Sequence, residues 1–140
     1  MDHDTFIGEV QNRAELASRG EALSATRATF QTLAERIDEG QATNIAAQLP
    51  DELARIIEEE ADTTESFGFQ EFVGRVAERD ENLGSEDDDR SAAALHARAV
   101  IDVLDEAVTE GQIEDLRDQL PGEYDDLFEL AEADGAPGQP

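Results

Sequence analysis

Residues 40–53, Gly-Gln-Ala-Thr-Asn-Ile-Ala-Ala-Gln-Leu-Pro-Asp-Glu-Leu, return 71 positions later as residues 111–124, Gly-Gln-Ile-Glu-Asp-Leu-Arg-Asp-Gln-Leu-Pro-Gly-Glu-Tyr. Six of the 14 aligned positions are identical, and Ile45/Leu116 and Leu53/Tyr124 stay apolar. A second match precedes it: Phe6-Ile7-Gly8-Glu9-Val10 aligns with Phe72-Val73-Gly74-Arg75-Val76 at an offset of 66. The five-residue difference between the offsets, 71 minus 66, falls in residues 81–90, so that segment reads as a loop, where insertions cost little. A chain that repeats itself in this way is built from two like units.

Each unit reads as four amphipathic helices. In the first, a helix from about Asp4, with Asp4 as its cap, to about Leu16 carries Phe6, Ile7, Val10 and Ala14 on one face. Ser18-Arg19-Gly20-Glu21 has capping-box form and opens a second helix, with Ala22, Thr26, Thr29, Phe30, Leu33 and Ile37 on one stripe and Gly40 placed for a left-handed C-terminal cap. A short third helix presents Ile45 and Leu49. Pro50 then ends it and opens a fourth carrying Leu53, Ile56 and Ile57.

The second unit repeats the pattern. Phe69, Phe72, Val73 and Val76 lie on its first helix, and Ala93, Ala97, Val100, Ile101, Leu104 and Val108 on its second, with Gly111 as cap. Ile113, Leu116 and Leu120 lie on the third, and a final helix from Pro121 carries Tyr124, Leu127, Phe128 and Leu130. The expectation is an all-α fold of tandem duplicated four-helix units packed into one pseudo-twofold helical bundle. Residues 3–60 are the first repeat, 67–133 the second, in one joint domain, and 134–140 a disordered tail. Each unit of about 65 residues has a thin core, so packing the two together buries what neither buries alone.

Composition bounds the setting. The net charge of −26 comes from 36 acids against 10 bases, and all the bases are arginine. Such a chain repels itself in dilute buffer, where the Debye length is about 10 Å at 0.1 M salt against about 3 Å at 1 M. This points to a halophilic, cytoplasmic protein that requires high salt (K+). Arginine, the more weakly hydrated cation, pairs carboxylates through a planar fork, which fits the missing lysine. There is no cysteine, so no disulfide framework. No signal sequence and no membrane span are expected, since no apolar run nears about 18 residues. A dispersed set of arginines offers phosphates no basic patch, so no nucleic-acid binding is expected.

The residues for chemistry are sparse. His3 and His96 lie in different units without metal-ligand spacing, and Glu86-Asp87-Asp88-Asp89 lacks the alternation and glycine turn of a calcium loop. No nucleophile elbow or phosphate loop occurs. Hence no catalytic residue, no metal and no cofactor is expected, and no enzyme activity.

Polar residues shared by both units are the candidate structural or binding set: Arg27 and Arg98, Gln48 and Gln119, Glu52 and Glu123. In the structural reading, the arginine bridges the second helix to the Gln-Leu-Pro corner and pairs with the glutamate, while the glutamine satisfies backbone groups at the break. In the functional reading, Arg27 and Arg98 line a cleft between the units or two related small-anion pockets.

Ala25-Thr26-Arg27-Ala28, Gly40 and Ala47-Gln48-Leu49-Pro50, echoed by His96-Ala97-Arg98-Ala99-Val100 and Asp118-Gln119-Leu120-Pro121, resemble the domain of unknown function family 2267 (DUF2267) over about residues 3 to 131. With the lysine-free acidic surface, the chain is similar to the haloarchaeal members. The resemblance implies an all-helical duplicated domain and brings no catalytic residue with it.

The leading functional expectation is a non-enzymatic adaptor or stress-related accessory factor with an unknown protein partner, as a monomer or weak homodimer. The alternatives are a small-ligand or anion binder or enzyme using an inter-repeat cleft, and an acidic mimic of nucleic acid.

Overall fold

A computed structural model describes residues 1–60, 64–83 and 87–128, and among them there are seven α-helices, a 3₁₀ helix and no strand. The α-helices are α1 (His3–Arg13), α2 (Arg19–Arg36), α3 (Glu39–Ala46), α4 (Asp51–Glu60), α5 (Phe69–Arg79), α6 (Asp87–Ala107) and α7 (Glu110–Gln119). The 3₁₀ helix, Gly122–Phe128, closes the described chain. Leu130, the end of the second unit and the tail expected at 134–140 lie outside the described residues, as do 61–63 of the inter-unit linker and 84–86 of the loop.

Local chemistry sets the helix starts. Ser18, Asp38 and Thr109 each accept a hydrogen bond from the amide three residues on, satisfying an orphan donor of the first turn of α2, α3 and α7. The cap of α1 is Asp2, whose Oδ1 accepts from Thr5 N–H at 2.8 Å, and not Asp4. Asp4 lies inside the first turn and meets Arg19.

Gly40 and Gly111 are not C-terminal caps. They sit in the first turns of α3 and α7, while α2 ends because Ile37 turns to extended backbone ahead of the Asp38 cap. The left-handed cap occurs one helix earlier, at Glu15 (φ 53°), where Leu16 N–H bonds Gln11 C=O and Glu15 N–H bonds Asn12 C=O. The segment after Pro121 winds as a 3₁₀ helix rather than an α-helix, and still buries Tyr124, Leu127 and Phe128.

The stripe expected on α2 is wider in the fold. Ala25, Ala28, Thr32 and Ala34 are buried alongside Ala22, Thr26, Thr29, Phe30 and Leu33, because α2 packs against α1, α4, α5 and α6 and has little free face. The buried hydroxyls of Thr26 and Thr32 donate to the carbonyls of Ala22 and Ala28, one turn back, at 2.8 Å each. Helix α6 packs against α1, α2, α5 and the 3₁₀ helix, and α3 against α4 and α7. Buried apolar side chains from Phe6 to Phe128, drawn from both halves, form one contiguous core.

Two glycines have a steric reason. Gly8 and Gly74, equivalent at the 66-residue offset, face Arg19 and Arg90 of the following helices, and a Cβ would stand 3.6 Å and 2.7 Å from the respective Nη1. Each arginine reaches the carbonyl one turn before its glycine, Asp4 at 3.3 Å and Gln70 at 2.8 Å. The repeated apolar-apolar-Gly motif thus leaves room for an arginine to cross the first helix of each half.

Candidate functional site

The polar residues that join the halves come in equivalent pairs. Gln48 Oε1 accepts from the backbone N–H of Thr109 at 2.7 Å, and Gln119 Oε1 accepts from that of Asp38 at 2.8 Å. Each glutamine therefore serves the helix start of the other half, not the break at its own corner. Gln119 Nε2 also donates to Asp38 Oδ2 at 2.7 Å, and Gln48 Nε2 to Gln112 Oε1 at 3.3 Å.

Ion pairs repeat the exchange. Arg13 of α1 pairs with Glu106 of α6, and Arg79 of α5 pairs with Glu35 of α2 at 2.7 Å. Arg13 also takes Asp102 at 2.7 Å and Glu9 at 3.0 Å, while Arg75 joins Glu35 at 3.0 Å. The bond from Arg79 holds Glu35 below the usual carboxylate range against the opposing effect of burial, with Arg75 adding to it.

Asp80, just past the end of α5, is 1% exposed and draws three elements together. Its Oδ1 accepts from Ser24 Oγ of α2 and from Asn82 N–H, both at 3.0 Å, and its Oδ2 lies 3.4 Å from His96 Nδ1 of α6. Ser24 Oγ in turn accepts from Glu81 N–H at 2.9 Å. Burial pushes the Asp80 carboxyl up, but His96, the Asn82 amide and Ser24 outweigh it and hold it below its usual range. A hydrolytic triad sets the imidazole between hydroxyl and carboxylate, whereas here the carboxylate stands between the other two. A carboxylate held low is also a weak proton acceptor at neutral pH. The trio therefore fixes α2, α5 and α6 together and does not activate Ser24.

Over Ser24 lies a hollow of about 280 Å³ between α2 of the first half and the end of α5 of the second, lined by Gly20, Leu23, Ser24, Arg27, Arg79 and Glu81. Arg79 is fixed there by Thr32 Oγ1 at 3.1 Å and by Glu35. Arg27 is exposed and makes no hydrogen bond or ion pair to the described residues.

The six residues expected as a shared set divide. Arg98 lines a separate hollow of about 350 Å³ with Arg90, Ser91, Ala94 and Asp126, so Arg27 and Arg98 do not share one cleft. Arg98 Nε donates to Asp126 C=O at 2.9 Å, past the second Gln-Leu-Pro corner, whereas Arg27 does not reach the first. The expected arginine–glutamate pairs do not form between Arg27 and Glu52: Glu52 is exposed on α4 and bonds none of the described residues. Glu123 instead crosses to the start of α5, where its Oε1 accepts from Phe69 N–H at 2.7 Å. That start has Gly68 as its cap residue and no side-chain cap of its own. The halves diverge here because the 3₁₀ helix carries Glu123 where an α-helix carries Glu52.

His96, which the sequence showed only as a histidine without metal-ligand spacing, is linked to Asp80, a contact the sequence reading missed. A signal was present. At the equivalent positions the first half has Ala14 and Ala25, so the second half departs from the first at both partners at once.

A described chain that is wholly helical, with one core drawn from both halves and arginine–carboxylate pairs across their junction, is an acidic helical-bundle protein. The family model described as "Uncharacterized conserved protein (DUF2267)" matches residues 3–127, and the chain belongs to this family. No curated protein matches the chain significantly. No helix among the described residues is long and apolar enough to cross a membrane.

Proposed function

We propose that this chain is a salt-adapted helical module that acts through protein contacts in a potassium-rich cytoplasm, without catalysing a reaction. The observation that carries the reading is the spread of the charge. Exposed carboxylates occur on α1, α3, α4, α5, α6, α7 and the 3₁₀ helix, among them Asp4, Glu39, Glu58, Glu78, Glu106, Asp118 and Asp125. A mimic of nucleic acid needs its charge along one face, whereas a coat over every outward element suits hydration in brine. That distribution favours salt adaptation over mimicry.

The same reading takes the halves as duplicated units about an approximate twofold axis. It is supported by contacts that recur in exchange: Gln48 to Thr109 with Gln119 to Asp38, and Arg13 to Glu106 with Arg79 to Glu35. Residues at equivalent offsets thus meet in reciprocal pairs, as in an isologous interface. Such a rigid frame holds the outer helices α3, α4 and α7 as surfaces for a partner.

Two measurements test this. Helical content followed as KCl is diluted from about 2 M to about 0.1 M is expected to fall cooperatively as screening weakens. A chain unchanged across that range removes the salt adaptation. Affinity capture in molar KCl is expected to enrich one partner reproducibly, and capture of no specific partner at any expression level removes the interaction role.

A further inference from the structure

We propose that the hollow lined by Arg27 binds a small oxyanion, a carboxylate or a phosphate, through that guanidinium. The first ground is the local charge. The chain carries 36 acids against 10 bases, yet this hollow is lined by Arg27 and Arg79 with one carboxylate, Glu81, so with Arg79 paired to Glu35 the acidic excess of the chain is absent here. The second is availability. Arg13, Arg19, Arg75 and Arg79 are each paired with an acid, whereas Arg27 is exposed and makes no hydrogen bond or ion pair to the described residues. A planar fork of donors matches the oxygens of a carboxylate or phosphate in a two-point contact.

The second half supplies an internal precedent. Gly20, Leu23 and Arg27 line this hollow, and their equivalents at the 71-residue offset, Ser91, Ala94 and Arg98, line the other. There the arginine already holds an oxygen acceptor, the Asp126 carbonyl, at 2.9 Å. The residue 71 positions before Asp126 is Arg55, and Arg27 makes no matching bond to its carbonyl or to any other described residue. The space of about 280 Å³ exceeds the roughly 30 Å³ share of one water several-fold, which is room for a small ligand. In molar salt the repulsion of the acidic coat is screened beyond about 3 Å, so a contact pair at Arg27 survives where long-range attraction is not needed.

The test uses the full chain in molar KCl, titrated with inorganic phosphate and separately with acetate, while backbone amide shifts are read by NMR. Saturable shifts over residues 20–27 with one of the two anions are expected, and which anion it is names the ligand class. Arg27→Gln is expected to raise Kd at least about tenfold, the scale of a lost charge-assisted bond, whereas Arg98→Gln leaves it unchanged. Arg27→Lys, which keeps the charge and loses the fork, falls between. Saturation by neither anion, or equal affinity in Arg27→Gln, overturns the assignment. Because Arg27 touches no described residue through hydrogen bond or ion pair, Arg27→Gln is expected to melt like the parent, and its unfolding likewise overturns the assignment.

Discussion

Asp80→Ala tests how the halves are joined. The substitution removes a carboxylate that is 1% exposed, together with its bonds to Ser24 and Asn82 at 3.0 Å and its pairing with His96 at 3.4 Å. Hydrogen bonds to a charged group are worth about 1.5–3 kcal/mol each, and part of that returns because an isolated buried charge no longer has to be desolvated. Ser24, Asn82 and His96 are left short of an acceptor, so the expected loss is ~3 kcal/mol. For a chain of this length that corresponds to a fall of about 10 °C in Tm. The repeat supplies the control, because the first half has Ala14 and Ala25 at the equivalent positions. Asp80→Ala/His96→Ala therefore gives the second half the residues that the first half carries at these positions. Urea unfolding of both single variants and the double, followed by circular dichroism in molar KCl, is expected to give a coupling of about 1–2 kcal/mol. A single Asp80→Ala loss below about 0.5 kcal/mol, or additivity within about 0.5 kcal/mol, refutes the network as a joint.

Glu35 and Asp80 are held below their ordinary values, Glu35 chiefly by Arg79 and Asp80 by bonds that outweigh burial. Their contribution is present above their unfolded values near ~4 and is lost as pH falls through the folded ones, so acid titration of stability is expected to steepen below about pH 4 and to flatten in Arg79→Gln. Gly8→Ala is expected to stabilise by up to about 1 kcal/mol through helix propensity. Gly74→Ala is expected to gain less or to lose, since its Cβ would stand 2.7 Å from Arg90 Nη1 and push that side chain off the Gln70 carbonyl; thermal melts compare the two. Glu15→Gly relieves a left-handed backbone at φ 53° and is expected to gain about 0.5–1 kcal/mol by the same assay. Phe6→Ala removes a fully buried ring 5.6 Å from that of Phe30 and is expected to cost about 3–5 kcal/mol in urea unfolding.

The chain's own pattern specified most of the helices and most of their inward faces. Apolar spacing is a local property, so Phe6, Ile7, Val10, Leu33, Ile101 and Leu104 were readable as core before any tertiary contact was known, and all six are buried. Ser18 and Pro50 marked helix starts for the same reason, since caps and proline act on their immediate neighbours. Glycine misled at residues 40 and 111, because extended backbone at Ile37 and the caps Asp38 and Thr109 make that corner without a left-handed residue.

Only the tertiary structure decided which polar residues meet. Gln48 and Gln119 were legible as important because they recur, but each reaches a helix start 61 or 81 residues away. Arg27 and Arg98 share a sequence environment and lie in different surroundings, since a 3₁₀ helix follows the second corner and an α-helix the first. Arg13, Arg79, Glu35, Glu106 and the Ser24–Asp80–His96 joint went unread for the same physical reason. A hydrogen bond depends on the position of both partners within a few tenths of an ångström, and periodicity along one chain fixes which face a side chain takes but not which neighbour stands opposite.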